Sequence, residues 1–150
     1  MATIFGLIFG GMMMVTMLAI LAGLYVLTVI PLMKMFIKAG EDGWKAFIPA
    51  YNMYIYIKIS WDTSVFWIML AIVLINRVIS AIFGDESLFA SIVTFILGII
   101  TIVYQARLCA KTSKAFGHGT GYAVGLFFLP LIFYYIIGFG SSLYIGKEEY

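Results

Sequence analysis

The sequence predicts an all-α membrane protein with four transmembrane helices and a short interfacial or re-entrant helix after the first. Three observations carry that reading. Of 150 residues, 64% are hydrophobic and 11% charged, with a mean hydropathy of +1.10. A soluble domain carries roughly 25% charged residues, so too little polar surface is present to face water. The apolar residues fall in four long runs, about 8–33, 65–83, 88–108 and 122–140. The bases are sorted to one side of those runs, as cytoplasmic loops require. The whole chain, 1–150, reads as one integral membrane domain.

Residues 1–33 hold no charged side chain. About 20 apolar residues cross a hydrocarbon core of about 30 Å, so the run spans with residues to spare. A signal peptide would bear a basic leader and a cleavage site after a short apolar core. Here no Lys or Arg occurs in the run, which continues past Ala22-Gly23, so a retained helix is expected. Gly6/Gly10 and Ala19/Gly23 are small-xxx-small pairs that let helices approach closely. Lys34 and Lys38, one turn apart, sit where they snorkel from the helix end.

Gly40-Glu41-Asp42-Gly43 then breaks the helix. Beyond it, Trp44, Phe47, Ile48, Tyr51, Tyr54, Ile55 and Lys58 keep the spacing of one helical face, interrupted by Pro49. Lys45, Pro49 and Lys58 argue against a crossing, so 44–59 is read as interfacial or re-entrant. Trp44, Pro49, Tyr51 and Asn52 then have two readings. They form a binding surface or gate, or they anchor the chain at the interface while Asn52 caps a helix starting after Pro49.

The second run, 65–83, has Trp61 and Trp67 at its start and carries Asn76-Arg77. Arg77 is the one formal charge well inside a predicted span, about 9 Å of axial rise from the span's end, whereas Arg107 stands one residue from the end of its run. It attracts an anion or pairs subunits, or it snorkels to the outer headgroups. No predicted span holds Asp or Glu, which weighs against a carrier coupled to protons or sodium through a buried carboxylate. Gly84-Asp85-Glu86-Ser87 makes a tight loop in which Asp85 or Ser87 is placed to cap the next helix.

In the third run, Ser87, Ser91, Thr94, Gly98, Thr101 and Gln105 step by alternating fours and threes, which puts them on one stripe. Such a stripe packs helices, at about 0.6 kcal/mol per polar contact, or lines a narrow wet path. Cys109 near the end of this run reads as a small apolar filler. His118, among glycines, reads as a loop residue or a pH sensor. The last run opens with Gly121-x-x-x-Gly125 and is expected to kink at Pro130.

Lys34, Lys38, Lys45 and Lys58 share one loop region, and Arg107, Lys111 and Lys114 another. With four crossings those seven of the nine bases lie on one side, the cytoplasmic side, and both termini lie outside.

Two segments resemble a known family. One is Ala39-Gly40-Glu41-x-Gly43-Trp44-x-Ala46-x-Ile48-Pro49-x-Tyr51-Asn52. The other runs from Ala115-Phe116-Gly117 through Gly125-Leu126, Leu129-Pro130-x-Ile132-Phe133 and Gly138-Phe139-Gly140 to Tyr144. Together they are similar to an uncharacterised family of small bacterial multipass membrane proteins, some of which carry the name signal peptidase I or are joined to that enzyme. The resemblance implies the bacterial cytoplasmic (inner) membrane and marks Phe116 and His118, with the 44–52 motif, as a shared surface. This sequence departs from the family at His118, in place of Lys, and before Asn76, where a Pro is missing. The peptidase activity does not follow, because it needs a Ser nucleophile and a Lys base on a soluble domain that these short loops cannot build.

The function expected is a non-catalytic membrane component that packs into a homo-oligomer or beside a larger membrane partner. Gly6, Gly10, Gly98, Gly121 and Gly125 are its candidate packing positions. The alternative is a small ion or solute channel or transporter using Arg77 and the stripe Ser91, Thr94, Thr101 and Gln105. No enzyme activity, cofactor, metal or nucleic-acid partner is expected; the lipid bilayer is the one certain partner.

Overall fold

The computed structural model describes residues 2–84 and 86–147. All regular elements among them are helical: α1 (Ala2–Lys38), a 3-10 turn (Gly43–Phe47), α2 (Tyr51–Ser60), α3 (Ser64–Phe83), α4 (Leu88–Ala115), α5 (Thr120–Phe128) and α6 (Pro130–Phe139). Three helices are long and apolar enough to cross a membrane, at Phe9–Lys38, Ser64–Phe83 and Leu88–Ala115. Their mean hydropathies are 2.4, 2.3 and 2.1. At 1.5 Å per residue α3 is about 30 Å long and α4 about 42 Å, so α4 outreaches a hydrocarbon core at one end.

α1 and α4 stop in the same way. Gly40 and Gly117 both take left-handed backbone, at φ 78° and 75°. Glu41 N–H donates to the Phe36 carbonyl and Gly40 N–H to that of Ile37. His118 N–H donates to Ser113 and Gly117 N–H to Lys114. Each pair is a Schellman cap, which glycine adopts without a Cβ clash. Lys38-Ala39-Gly40 and Lys114-Ala115-Phe116-Gly117 thus end their helices with the same turn. Asp85, one candidate cap of α4, lies outside the described residues. Ser87 is at the N-cap with extended backbone, φ −69° and ψ 130°, and its hydroxyl makes no capping bond.

The segment 122–140, expected as a fourth crossing with a kink, is two helices that fold back on each other. α5 and α6 have 9 and 10 residues, about 14 and 15 Å each. Leu129, at φ −133° and ψ 56°, is the hinge, and Pro130 opens α6, where its missing N–H costs nothing. The Tyr122 and Phe133 rings meet edge to face at 5.4 Å, although eleven residues of straight helix would hold them about 16 Å apart. A Cβ on Gly125 would collide with the Phe133 ring. The hairpin therefore starts and ends at the same end of the molecule. The described tail also lies there, bonded through Tyr144 and Ile145 to Ile59 and Ala115.

The core sits at that end. Val29, Met35 and Phe36 of α1, Ile55 and Ile57 of α2, Leu108 of α4, Leu126 of α5 and Ile137 of α6 are each 1% exposed or less. α1's last turns form its axis, with the 3-10 turn on one flank and α6 on another. Gly138 lets α6 close on α1, since a Cβ there would lie 2.8 Å from the Pro31 carbonyl oxygen. α3 and α4 pair with each other, while α1 does not pack on either of them among the described residues. From Phe9 to Val26 α1 stands bare, with Met12, Met13, Met14 and Met17 all more than 60% exposed.

Candidate functional site

The packed end gathers the charged loops and most of the sequence-predicted surface residues. Glu41 is its electrostatic hub. The Schellman cap turns the chain so that Glu41 faces back over the 3-10 turn and α2. Its carboxylate accepts from Lys45 Nζ at 2.7 Å and from Lys58 Nζ at 2.6 Å, and its side chain is only 14% exposed. Lys45 also reaches Asp42 at 3.0 Å. The hydrogen bonds from Lys45, then Lys58, hold the Glu41 carboxyl below the usual carboxylate range. The same bonds push both ammonium groups above the ordinary lysine value.

The 3-10 turn climbs along α1 away from this hub. Tyr25 Oη donates to the Phe47 carbonyl at 2.9 Å, and Tyr25 lies thirteen residues, about 20 Å of rise, before Lys38. The chain reverses at Ile48-Pro49-Ala50. Ala50 takes φ 64°, which is costly for a residue with a Cβ. Asn52 does not cap α2; its Nδ2 donates to the Ala46 carbonyl at 3.3 Å and ties the two arms together. α2 then descends to Ser60. Segment 44–59 is thus also a hairpin that leaves and regains the packed end.

An aromatic ladder runs along its outer side. Trp44 and Tyr51 are tilted at 6.4 Å, Tyr51 and Tyr54 stack at 6.0 Å, and Tyr54 meets Phe66 edge-on at 5.4 Å. Trp67 continues it, and Ala50, Tyr51, Tyr54, Phe66 and Trp67 line an apolar hollow of about 330 Å³. Trp44, Pro49 and Tyr51 are exposed. Phe116 lies beneath that surface instead, 1% exposed and edge-on to Tyr144 at 5.4 Å.

The tail closes the other side. His118 stacks on Tyr122 at 3.8 Å and its Nε2 is 2.7 Å from Ser142 Oγ. Ile145 N–H donates to the Ala115 carbonyl at 2.8 Å, and Tyr144 Oη to that of Ile59 at 2.9 Å. Lys38 Nζ donates to the carbonyls of Ile137 and Gly140 at 2.6 and 2.7 Å, capping α6 with a positive charge. Under this layer Thr112 Oγ1 joins Tyr56 Oη at 3.0 Å, Ser60 Oγ at 2.9 Å and the Leu108 carbonyl at 2.8 Å.

The intramembrane residues are brought together only in part. Thr94 Oγ1 lies 3.3 Å from Asn76 Oδ1, joining α4 to α3. Thr101 returns its hydroxyl to the Leu97 carbonyl of its own helix, and Gln105 sits 4.0 Å from Cys109 Sγ. Ser91 and Arg77 are exposed. Among the described residues nothing lies within 4 Å of where a Cβ on Gly6, Gly10, Gly98 or Gly121 would stand, whereas Gly125 packs closely on Phe133.

Several residues escaped the sequence reading. The Glu41–Lys45 spacing of four was visible locally, but nothing in the sequence ties Lys58 to it across seventeen positions. Thr112, Tyr56 and Ser60 look like ordinary polar residues of a helix end until α2 is laid against α4. Gly138 resembles any glycine of an apolar run.

This fold and site define an all-helical protein of the membrane-spanning type, with eight of its nine bases toward one end. The chain belongs to a family of unknown function, DUF5684, whose model matches residues 44–147. The match begins at Trp44, so it takes in both hairpins, α3 and α4 and omits α1. Neither the curated proteins nor the solved structures contain a match to the chain.

Proposed function

We propose that this protein is a non-catalytic component of the bacterial cytoplasmic membrane that assembles with further copies of itself or with a larger membrane partner. It crosses three times, through α1, α3 and α4. The two hairpins dip into one leaflet from the cytoplasmic side. Eight of the nine bases support that sidedness: Lys34, Lys38, Lys45, Lys58, Arg107, Lys111, Lys114 and Lys147 lie toward the packed end, and Arg77 alone lies toward the other.

The observation that carries the assembly is the isolation of α1 from α3 and α4. Gly6 and Gly10 on α1 and Gly98 on α4 leave small-residue faces open. In a bilayer such faces let a second helix approach, because helices there associate through close packing rather than hydrophobic burial. Mass measurement of the protein in nanodiscs tests this. A dimer or larger assembly, or a stoichiometric second chain, is expected; a strict monomer with no co-purifying protein overturns it.

The channel reading keeps one supporting feature. Arg77 and the exposed Ser91 and Thr101 are available to face an axis between copies. Liposome flux that changes in Arg77→Ala and Thr94→Leu variants would favour it over a purely structural role.

A further inference from the structure

The observations point to a second site on the same end of the molecule, on α4 rather than on the hairpins. Arg107, Lys111 and Lys114 follow at intervals of four and three, so their side chains project from one face of the helix. With Trp61 and Ala110 they line a cavity of about 340 Å³. Trp61 is held against Tyr104 of the same helix at 6.0 Å, which sets the indole as an aromatic wall beside the three cations.

Depth decides what this cavity meets. α3 is 20 residues long and matches a hydrocarbon core of about 30 Å from Ser64 to Phe83. Twenty residues of α4 counted from Leu88 reach Arg107, at the same level as the start of α3. Lys111 and Lys114 then stand about 6 and 10 Å beyond that boundary. That is the headgroup layer, where Trp is also favoured. A cavity at the lower end of ligand-pocket sizes suits a headgroup rather than a whole lipid. Three cations beside a polar boundary select phosphate oxygens and disfavour a headgroup that adds its own cation.

We propose that Trp61, Arg107, Lys111 and Lys114 form a binding site for the phosphate of an anionic phospholipid headgroup. The site rests on α3 and α4 crossing the bilayer and is independent of whether the protein self-associates.

Native mass spectrometry of the full chain in detergent, titrated with phosphatidylglycerol or with phosphatidylcholine, tests it. The native protein is expected to retain phosphatidylglycerol preferentially. Exchanging one cation for Gln is expected to weaken retention about fivefold, and the triple variant Arg107→Gln, Lys111→Gln, Lys114→Gln about a hundredfold. Lys147→Gln serves as a charge control and should leave retention unchanged. Circular dichroism shows whether the triple variant keeps its helices, and Arg107→Gln alone gives a milder second reading. Equal retention of the two lipids by the native protein, or undiminished preference in a folded triple variant, overturns the proposal. Displacement of the lipid by millimolar inorganic phosphate also overturns it, by making free phosphate the ligand. Failure of the native protein to enter nanodiscs at all would strike the membrane reading itself and is scored separately.

Discussion

The ammonium of Lys38 lies 2.6 Å from the carbonyl oxygen of Ile137, a residue ninety-nine positions further along the chain. The contact fixes the C-terminal ends of α1 and α6 side by side. It places a full charge on carbonyls that the end of α6 leaves without helical partners. Lys38→Met should therefore loosen the α5–α6 hairpin more than any other single loss of a surface charge. About 2 kcal/mol is expected from hydrogen bonds to a charged donor in a partly exposed place, read as a lower unfolding midpoint in detergent. Lys38→Arg should recover part of the loss.

Glu41 gives a pH signature. Its folded carboxyl is held below the usual value by bonds from Lys45 and Lys58. A depressed carboxylate contributes stability at neutral pH that is lost as pH falls below the unfolded value, about 4.3, through the folded one. The protein should unfold more readily in that acid window, and Glu41→Gln should flatten the dependence there. Because Lys58 is exposed and water screens the pair, the effect at neutral pH is expected to stay near 1 kcal/mol. Thermal unfolding of both proteins across pH 3 to 7 measures it: the native protein should be the more stable near neutral pH, and the two curves should converge below the carboxylate range.

Thr112 and Tyr56 should not be equivalent. Tyr56→Phe removes one of three partners of the Thr112 hydroxyl and leaves it satisfied by Ser60 and Leu108, at a cost near 1 kcal/mol. Thr112→Val takes a partner from both the Tyr56 and the Ser60 hydroxyls, of which Tyr56 keeps Tyr134, and about 2 kcal/mol is expected. Equal effects in denaturation would contradict the hub.

Glycines separate folding from assembly. Gly138→Leu drives a side chain into the Pro31 main chain and should destabilise the monomer by about 1–3 kcal/mol. A Cβ on Gly98 meets nothing within 4 Å among the described residues, so Gly98→Leu should leave monomer stability nearly unchanged while shifting mass in nanodiscs toward smaller species.

Much of this architecture was legible before the structure. Long apolar runs announce α1, α3 and α4, because hydropathy and length are what a crossing needs. The boundaries were less so: α4 continues to Ala115 past the apolar stretch, since Arg107, Lys111 and Lys114 are good helix formers. The α5–α6 turn was not legible. Pro130 within eighteen apolar residues reads equally as a kink in one crossing or as the start of a returning helix. What decides is tertiary: Gly125 admits Phe133, and Lys38 waits at the far end. The aromatic surface at Trp44 and Tyr51 could be read from helical spacing, but the burial of Phe116 depends on Tyr144 returning over it.

The central claim is that the chain crosses three times and that 120–139 returns to the side it left. Cysteine labelling from each side of sealed vesicles tests it most directly, with the buried Cys109 replaced by Ala and single cysteines placed at Glu86, Lys114 or Ser141. The account predicts that positions 114 and 141 label from the same side and position 86 from the other. Labelling of position 141 together with position 86 would contradict it and restore a fourth crossing.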